Sequence, residues 1–371
     1  MIVGILKEIK TEENRVSMTP GGVELMVQNG HVVLVESNAG VSSGFEDASY
    51  VELGAEIIAG PEEIYGRSDM VMRVKEPQPS EYGLIREDQI IFTYLHLAVS
   101  EELTQTLIKR KSVNIAYETI QKEDGTLPLL TPMSEVAGRM AIQQASKYLE
   151  MEHGGQGVLL GGVPGVDPGT VVILGGGVVG TNAAKTACGL GAKVYVLDKN
   201  LDRLRYLSDI MPSNCFLLMS KPATIRRFIA IADVIVGAVL IPGAKAPKLV
   251  TREMLKMVKK GAVLVDVSID QGGCFETSRP TTHADPIFNI DGIVHYCVSN
   301  MPGALPKTST LALTNATLPY AVEIANKGWK KAMKNNSEIK HGANVVKGNV
   351  TCKGVADAFG YDYTPIEELL N

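Results

Sequence analysis

The stretch VVILGGGVVGTNAAKTACGLGAKVYVLD, residues 171–198, places Gly175, Gly177 and Gly180 in G-x-G-x-x-G spacing, directly after a β-branched run and at the start of a helical one. That spacing suits a dinucleotide pyrophosphate. The first glycine permits a tight turn, the second lets backbone approach the phosphates, and the third lets helix and strand pack closely. The anion then rests on a helix N-terminus, where free N–H groups and the helix dipole favour negative charge. Asp198 follows Gly175 by 23 residues, at the end of the next β-rich run. There a carboxylate accepts hydrogen bonds from an adenosine ribose, and its charge disfavours the extra phosphate of NADP. Arg203, about one turn further on, either softens that preference or is a solvated helix residue.

Four more residues stand where apolar runs stop: Arg15 in ENRVSMTP, Lys75 in DMVMRVKEP, His96 in IIFTYLHLA and Asp270 in AVLVDVSID. Pro77 cannot donate a backbone hydrogen bond, so Lys75 is expected close to a strand end. Taken singly, each has a plainer role: Arg15 as a loop charge, Lys75 as a snorkelling surface lysine, His96 as a hydrogen-bonded buried histidine, Asp270 as a turn former. Taken together, they point to one crevice, because strand C-termini converge in doubly wound folds. A cation, a histidine and a carboxylate facing a nicotinamide suit hydride transfer at a carbonyl or imine carbon, with histidine as the natural proton exchanger. His31, His153, His283, His295 and His341 lack such placement and are expected to be structural. No histidine and cysteine spacing suggests a metal site, and neither a G-x-S-x-G element nor a P-loop is present.

The elements that must position these residues alternate β-rich runs with helical stretches, the pattern of parallel sheets covered by helices. The pattern predicts an α/β protein with two doubly wound domains, the second a Rossmann NAD-binding domain inserted into a discontinuous first, joined by long helices. The expected division is 1–130 with 307–371 as the substrate and catalytic domain, and 131–306 as the dinucleotide domain. SEVAGRMAIQQASKYLEM reads as one long connecting helix with Ser134 as its N-cap, residues 308–335 as another, and TREMLKMVKK as a shorter one.

With 371 residues, 45% of them apolar and 21% charged, the chain has material for two sizeable cores and is not expected to be disordered. A net charge of −5 gives no footprint for nucleic acid or an anionic membrane surface. No apolar run is long enough to span a bilayer, and the N-terminus becomes charged within seven residues, unlike a signal peptide. Five scattered cysteines without a C-x-x-C pair fit a reducing cytoplasm rather than a disulfide framework.

GILKEIKTEENRVSMTP, RVKEP, YLHLA, TPMSEVAGRMA, the glycine segment, DVSIDQGG and HYCVSNMPGALPKTSTLALTNATLPY resemble the alanine dehydrogenase family, in order and over almost the whole chain. The resemblance implies reversible oxidative deamination of L-alanine to pyruvate and ammonium with NAD, by a cytoplasmic homohexamer with its substrate cleft between the two domains. It implies Arg15 and Lys75 as substrate-binding residues, and His96 and Asp270 as catalytic ones. Around the cofactor it implies Ser134, Val178, Val179, Asp198, Arg203, Ser220, Val239, Leu240, Val267, Ser268, Ile269, Asp270, Arg279, Val298, Ser299, Asn300 and Met301, beside the three glycines. Ser17 departs from the alanine that the family often carries, and the wording after Ser220 differs from its usual form. The nearest rival resemblance is the NAD-binding subunit of the proton-translocating transhydrogenase, which serves a membrane partner and does no amino acid chemistry.

Overall fold

The computed structural model describes residues 1–239 and 246–371. The chain divides into two units, Met1–Met133 with Gly303–Asn371, and Ser134–Pro302, so the second is inserted into the first. Both are α/β, as the alternation of elements predicts.

The first unit has six parallel strands: β1 (Ile2–Ile5), β2 (Val32–Glu36), β3 (Glu56–Ile58), β4 (Met70–Met72), β5 (Ile90–Thr93) and β6 (Val113–Ala116). Their order is β3-β2-β1-β4-β5-β6. The returning C-terminal segment adds Ala343–Val346 and then Asn349–Val350 beyond β6, each antiparallel to its neighbour. The central strands β4, β5 and β6 are buried throughout. Helices cover both faces of such a sheet, which is why these strands read as nearly continuous Val, Ile, Met and Phe.

The second unit contains β7 (Thr170–Leu174), β8 (Lys193–Asp198), β9 (Cys215–Met219), β10 (Val234–Gly237), β11 (Val263–Asp266), β12 (Ile287–Ile290) and β13 (Ile293–Tyr296). They lie in the order β9-β8-β7-β10-β11-β13-β12, all parallel except the edge strand β12. Both units therefore reverse strand order beside their first strand, at β1/β4 and at β7/β10. In open sheets of this kind the crevice beyond the strand C-termini at that reversal is where ligands bind.

Several local expectations are corrected. The connecting helix runs Thr131–Tyr148, so Ser134 sits inside its first turn rather than capping it; Pro132 suits an early helical position. The predicted helix over 308–335 is two helices, Pro306–Lys327 and Trp329–Asn335, broken at Gly328 with φ 70°. A positive φ is open to glycine at no steric cost, and it re-aims the chain. TREMLKMVKK forms only a 3₁₀ turn, Met254–Met257: Leu255 and Val258 are buried, and Gly261 at φ 73° turns the chain soon after. Among the described residues no helix is long and apolar enough to cross a membrane.

Candidate active site

In the second unit the glycine turn follows β7. Gly175 has φ 105°, and a Cβ there would lie 2.5 Å from the Ala238 carbonyl oxygen, so only glycine fits between the ends of β7 and β10. Gly177 is the N-cap of the helix Val178–Gly189, with nothing within 4 Å of a Cβ built on it. A Cβ on Gly180 would meet the Gly175 carbonyl oxygen at 1.8 Å. The helix thus starts against its own strand, with Val178 and Val179 in the first turn and open space above Gly177. These features fit a dinucleotide pyrophosphate on the helix N-terminus.

Asp198 ends β8 and is fixed by two backbone donors, Gly176 N–H at 2.6 Å and Asn200 N–H at 2.8 Å. Arg203 donates to the Gly176 carbonyl at 2.6 Å and to Thr181 Oγ1 at 2.7 Å, bracing the glycine turn from outside. Neither reading of Arg203 from the sequence, solvated residue or softener of cofactor preference, contained that brace. Ser220 follows β9, and its N–H donates to the Asp198 carbonyl at 2.9 Å, beside the turn. The connecting helix packs on the same place. A Cβ on Gly138 would lie 2.3 Å from the Val179 carbonyl, and Ser134 lies one turn earlier on that face.

Asp270 belongs to a 3₁₀ turn, Ile269–Gln271, that follows β11. Its side chain is exposed and has no hydrogen-bond or ion-pair partner among the described residues. The hub of that turn is Asp266, which sequence reasoning passed over. Fully buried, it accepts from the N–H groups of Ser268, Cys274 and Phe275 and from the Ser278 hydroxyl. Val267 N–H donates to the Gly237 carbonyl, and the Ser268 hydroxyl donates to the Val239 carbonyl at 2.7 Å, joining the ends of β10 and β11. Leu240, next in line, falls outside the described residues.

Arg279 stacks its guanidinium 4.3 Å from the Phe288 ring centre. Val298 pairs with Thr281, Ser299 N–H donates to the Thr281 carbonyl, Asn300 has φ 56°, and Met301 is buried at the start of a short 3₁₀ turn. They form a separate strap after β13, tied to the Asp266 hub through Ser278, whose hydroxyl also receives the Cys297 thiol.

In the first unit the reversal between β1 and β4 holds no glycine turn. Three residues past β1, Glu8 instead reaches across, accepting from Val74 N–H at 2.6 Å and Lys75 N–H at 3.2 Å. Arg73, wholly buried, pairs with Glu8 at 3.2 Å and with Glu81. Burial pushes the Glu8 carboxyl above the ordinary range despite the Arg73 charge. This crevice is filled by an ion triad and presents Lys75, three residues past β4, on a braced bend.

The Lys75 ammonium has no hydrogen-bond or ion-pair partner among the described residues. Its pKa is lowered by burial first and by the neighbouring Arg15 charge second. Arg15 is buried and gives its Nε and Nη2 to Glu13, at 2.6 and 2.5 Å, while Nη1 lies 3.0 Å from Met133 Sδ. The expected planar fork is therefore committed to Glu13 along one edge. Although burial opposes ionisation, the Arg15 hydrogen bonds and charge hold Glu13 below the usual carboxylate range.

His96 lies three residues past β5, in the left-handed region with φ 50°. Glu118 fixes that bend, accepting from His96 N–H at 2.5 Å and Leu95 N–H at 3.1 Å. The imidazole stacks on Tyr94, centroids 5.9 Å apart and planes 15° from parallel. Glu8, Glu13, Glu118 and Tyr94 were absent from the sequence reading. A charged residue two before Arg15 and an acid just past β6 were the only signals in the chain.

The chain matches the family models Alanine dehydrogenase/PNT, N-terminal domain, over residues 4–137, and Alanine dehydrogenase/PNT, C-terminal domain, over residues 141–353. It belongs to the alanine dehydrogenase/PNT family. It is 55% identical to Alanine dehydrogenase 2 of Staphylococcus aureus strain MRSA252 over the whole of both chains, and 54% identical to that of strain Mu50. An L-alanine dehydrogenase structure superposes with TM-score 0.94 at 48% identity, covering 97% of this chain and 99% of that one. The transhydrogenase from Sinorhizobium meliloti, at TM-score 0.82 and 23% identity over 95% and 99%, shares the fold. As an alanine dehydrogenase/PNT family member the chain is an oxidoreductase with a Rossmann-type dinucleotide unit.

Gly180→Ala tests that unit locally. The methyl group meets backbone rather than a flexible side chain, so the turn must open. Dinucleotide affinity is expected to fall at least about tenfold, ~1.4 kcal/mol, in a fluorescence titration with NADH. Unchanged affinity would disconnect the turn from the cofactor.

Proposed function

We propose that this enzyme reversibly deaminates L-alanine to pyruvate and ammonium with NAD, acting as a cytoplasmic homohexamer. Full-length 55% identity to a relative named alanine dehydrogenase carries the choice of substrate; the cations and the histidine of the first unit support it. NAD, when bound, supplies the hydride acceptor. The glycine turn would hold its pyrophosphate and Asp198 its adenosine ribose. Ser134, Arg203, Ser220, Val239, Ser268, Arg279 and the 298–301 strap complete the proposed cradle.

In this reading Lys75 holds the substrate carboxylate or the developing carbonyl oxygen with an ammonium that makes no ion pair among the described residues. Arg15 adds a buried positive charge beside Lys75 that favours a substrate carboxylate. Asp270 holds the cationic amine and the attacking water, and its charge favours the iminium. His96 moves the proton on the carbinolamine oxygen as water adds to the iminium or leaves it.

The direct test is NADH formation from NAD and L-alanine, beside D-alanine, L-serine, L-lysine and NADP. Activity confined to L-alanine and NAD supports the proposal. Silence in both directions, with pyruvate, ammonium and NADH also tried, removes it and favours a transhydrogenase-like role.

Lys75 adds a pH signature. Its folded pKa lies below the ordinary 10.5, so the ammonium loses its proton at lower pH than a free lysine does. Pyruvate affinity of the NADH-loaded enzyme should fall as pH rises through that depressed pKa. Calorimetric titration without ammonium isolates the effect, because pyruvate itself does not titrate there. An affinity flat to pH 10.5, or one whose alkaline loss survives in Lys75→Met, would take Lys75 out of the binding site.

A further inference from the structure

Asp270 has no side-chain partner among the described residues, so the backbone of its turn, Ile269–Gln271, alone aims it. Asp266 holds that turn from one side, through the N–H groups of Ser268, Cys274 and Phe275. Lys248 holds it from the other. The Lys248 ammonium donates to the carbonyls of Gly272 at 2.5 Å, Gly273 at 2.8 Å and Phe275 at 3.2 Å. Those bonds use every N–H that an ammonium has. Gly272 and Gly273, at φ 87° and 73°, curl the chain so that their carbonyls meet this one donor. The backbone beside Lys248 is fixed as well: Ala246 N–H donates to the Gln271 carbonyl at 3.0 Å, and Leu249 N–H to the Cys274 carbonyl at 2.7 Å.

We propose that Lys248 is a positioning residue of the deamination, clamping the end of the turn so that the Asp270 carboxylate keeps one direction, while itself touching neither substrate nor cofactor. This rests on the catalytic reading of Asp270. The peptide unit between Gly273 and Cys274 joins the two halves of the clamp. Its carbonyl accepts from the Lys248 ammonium, and its N–H donates to the Asp266 carboxylate at 2.9 Å. A charge at each end polarises the peptide and strengthens both hydrogen bonds. No cation pairs directly with Asp266 among the described residues, and the Lys248 charge lies one peptide unit from its carboxylate.

Asp266 fixes the start of the turn at Ser268, and Lys248 fixes its end at Gly272 and Gly273, so Asp270 stands between two anchored points. Without the ammonium, three carbonyls turn to water and the end of the turn is free to shift while its start stays held. A displacement of about 1 Å at a reacting group costs on the order of a hundredfold in rate. Lys248 is exposed and makes no ion pair among the described residues, so a methionine of similar length removes the clamp without stranding a buried charge.

The test compares full-length wild type, Lys248→Met, Asp270→Asn and the double variant, by turnover of L-alanine and by hydrogen exchange of the amides of residues 268–275. Lys248→Met is expected to lower turnover at least about tenfold, to keep NADH affinity within about twofold, and to speed exchange across those amides. Lys248→Arg retains the charge and the donors and should recover part of the turnover. In the Asp270→Asn background the same methionine should cost less than about twofold, because a turn without its carboxylate has nothing to aim. A lysine that merely stabilised the fold would slow both backgrounds alike, so equal losses overturn the proposal. Wild-type turnover in Lys248→Met, or unchanged exchange at the turn, overturns it too. Full turnover in Asp270→Asn would instead sink the catalytic reading of Asp270, and the exchange data would then decide the clamp by themselves.

Discussion

Replacing His96 by alanine is expected to lower turnover in both directions by ~10²–10⁴-fold, the span a positioned general acid–base usually contributes, while NADH affinity stays within about twofold. The expectation rests on how the ring is held. The backbone of His96 occupies the left-handed region at φ 50°, a conformation costing a non-glycine residue about 1 kcal/mol. Glu118 offsets that cost with charge-assisted hydrogen bonds to two successive N–H groups. Tyr94 sets the ring plane, and its own hydroxyl donates to the Leu129 carbonyl while its ring packs edge-on against buried Tyr117. A backbone bend fixed by a carboxylate and a ring fixed by stacking give an imidazole a defined direction. Alanine removes the imidazole and leaves the bend, so folding should be spared.

Asp270→Asn is the companion experiment. It keeps the shape of an exposed side chain and removes only its charge, so turnover should fall without loss of cofactor. A His96→Ala enzyme retaining more than about a tenth of wild-type turnover would strip that residue of its proposed proton-carrying role.

The glycine turn was legible in the chain because its requirements are local. Gly175, Gly177 and Gly180 meet their constraints within six residues, and Asp198 comes at the end of the very next strand. The strand ends were legible to within a few residues. Lys75 and His96 each stand three residues past the last paired residue of β4 and β5, on bends that the sequence showed only as a change from apolar to polar.

What holds those bends was not legible, because every brace comes from far away in the chain. Glu8 meets Val74 and Lys75 across more than sixty positions, and Glu118 meets His96 across 22. Nothing in single-sequence periodicity links such pairs. Gly328 failed for a different reason. Helical pattern continues on both sides of it, and one glycine within a helical stretch is ordinarily tolerated at about 1 kcal/mol, so only its backbone angle in the fold reveals the break.

Among stability effects, Arg73→Met is expected to be the largest, destabilising the first unit by about 3–5 kcal/mol, as loss of one member of a buried ion pair typically does. Arg73 is the only cation in contact with Glu8 and Glu81 in the described triad, and its side chain is wholly inaccessible. Methionine fills similar space but leaves two carboxylates with no countercharge. Glu8, whose carboxyl burial already holds above the ordinary range, will favour protonation still more, which fixes the sign of the pH dependence. A carboxyl whose folded pKa is raised stabilises the fold below its unfolded pKa, and that stability is lost as pH rises through the folded pKa. Denaturant titrations of the variant should therefore show it most stable under mildly acidic conditions and weakening toward neutrality. Adding Glu8→Gln and Glu81→Gln should recover part of the loss and flatten the pH profile, because neutral amides need no cation. Recovery will not extend to pyruvate binding: the Glu8 carboxylate also receives the N–H groups of Val74 and Lys75, so an amide there loosens the bend that aims the ammonium. A variant as stable as wild type at every pH would mean that the triad is solvated in solution, and the bracing of Lys75 would then need another source.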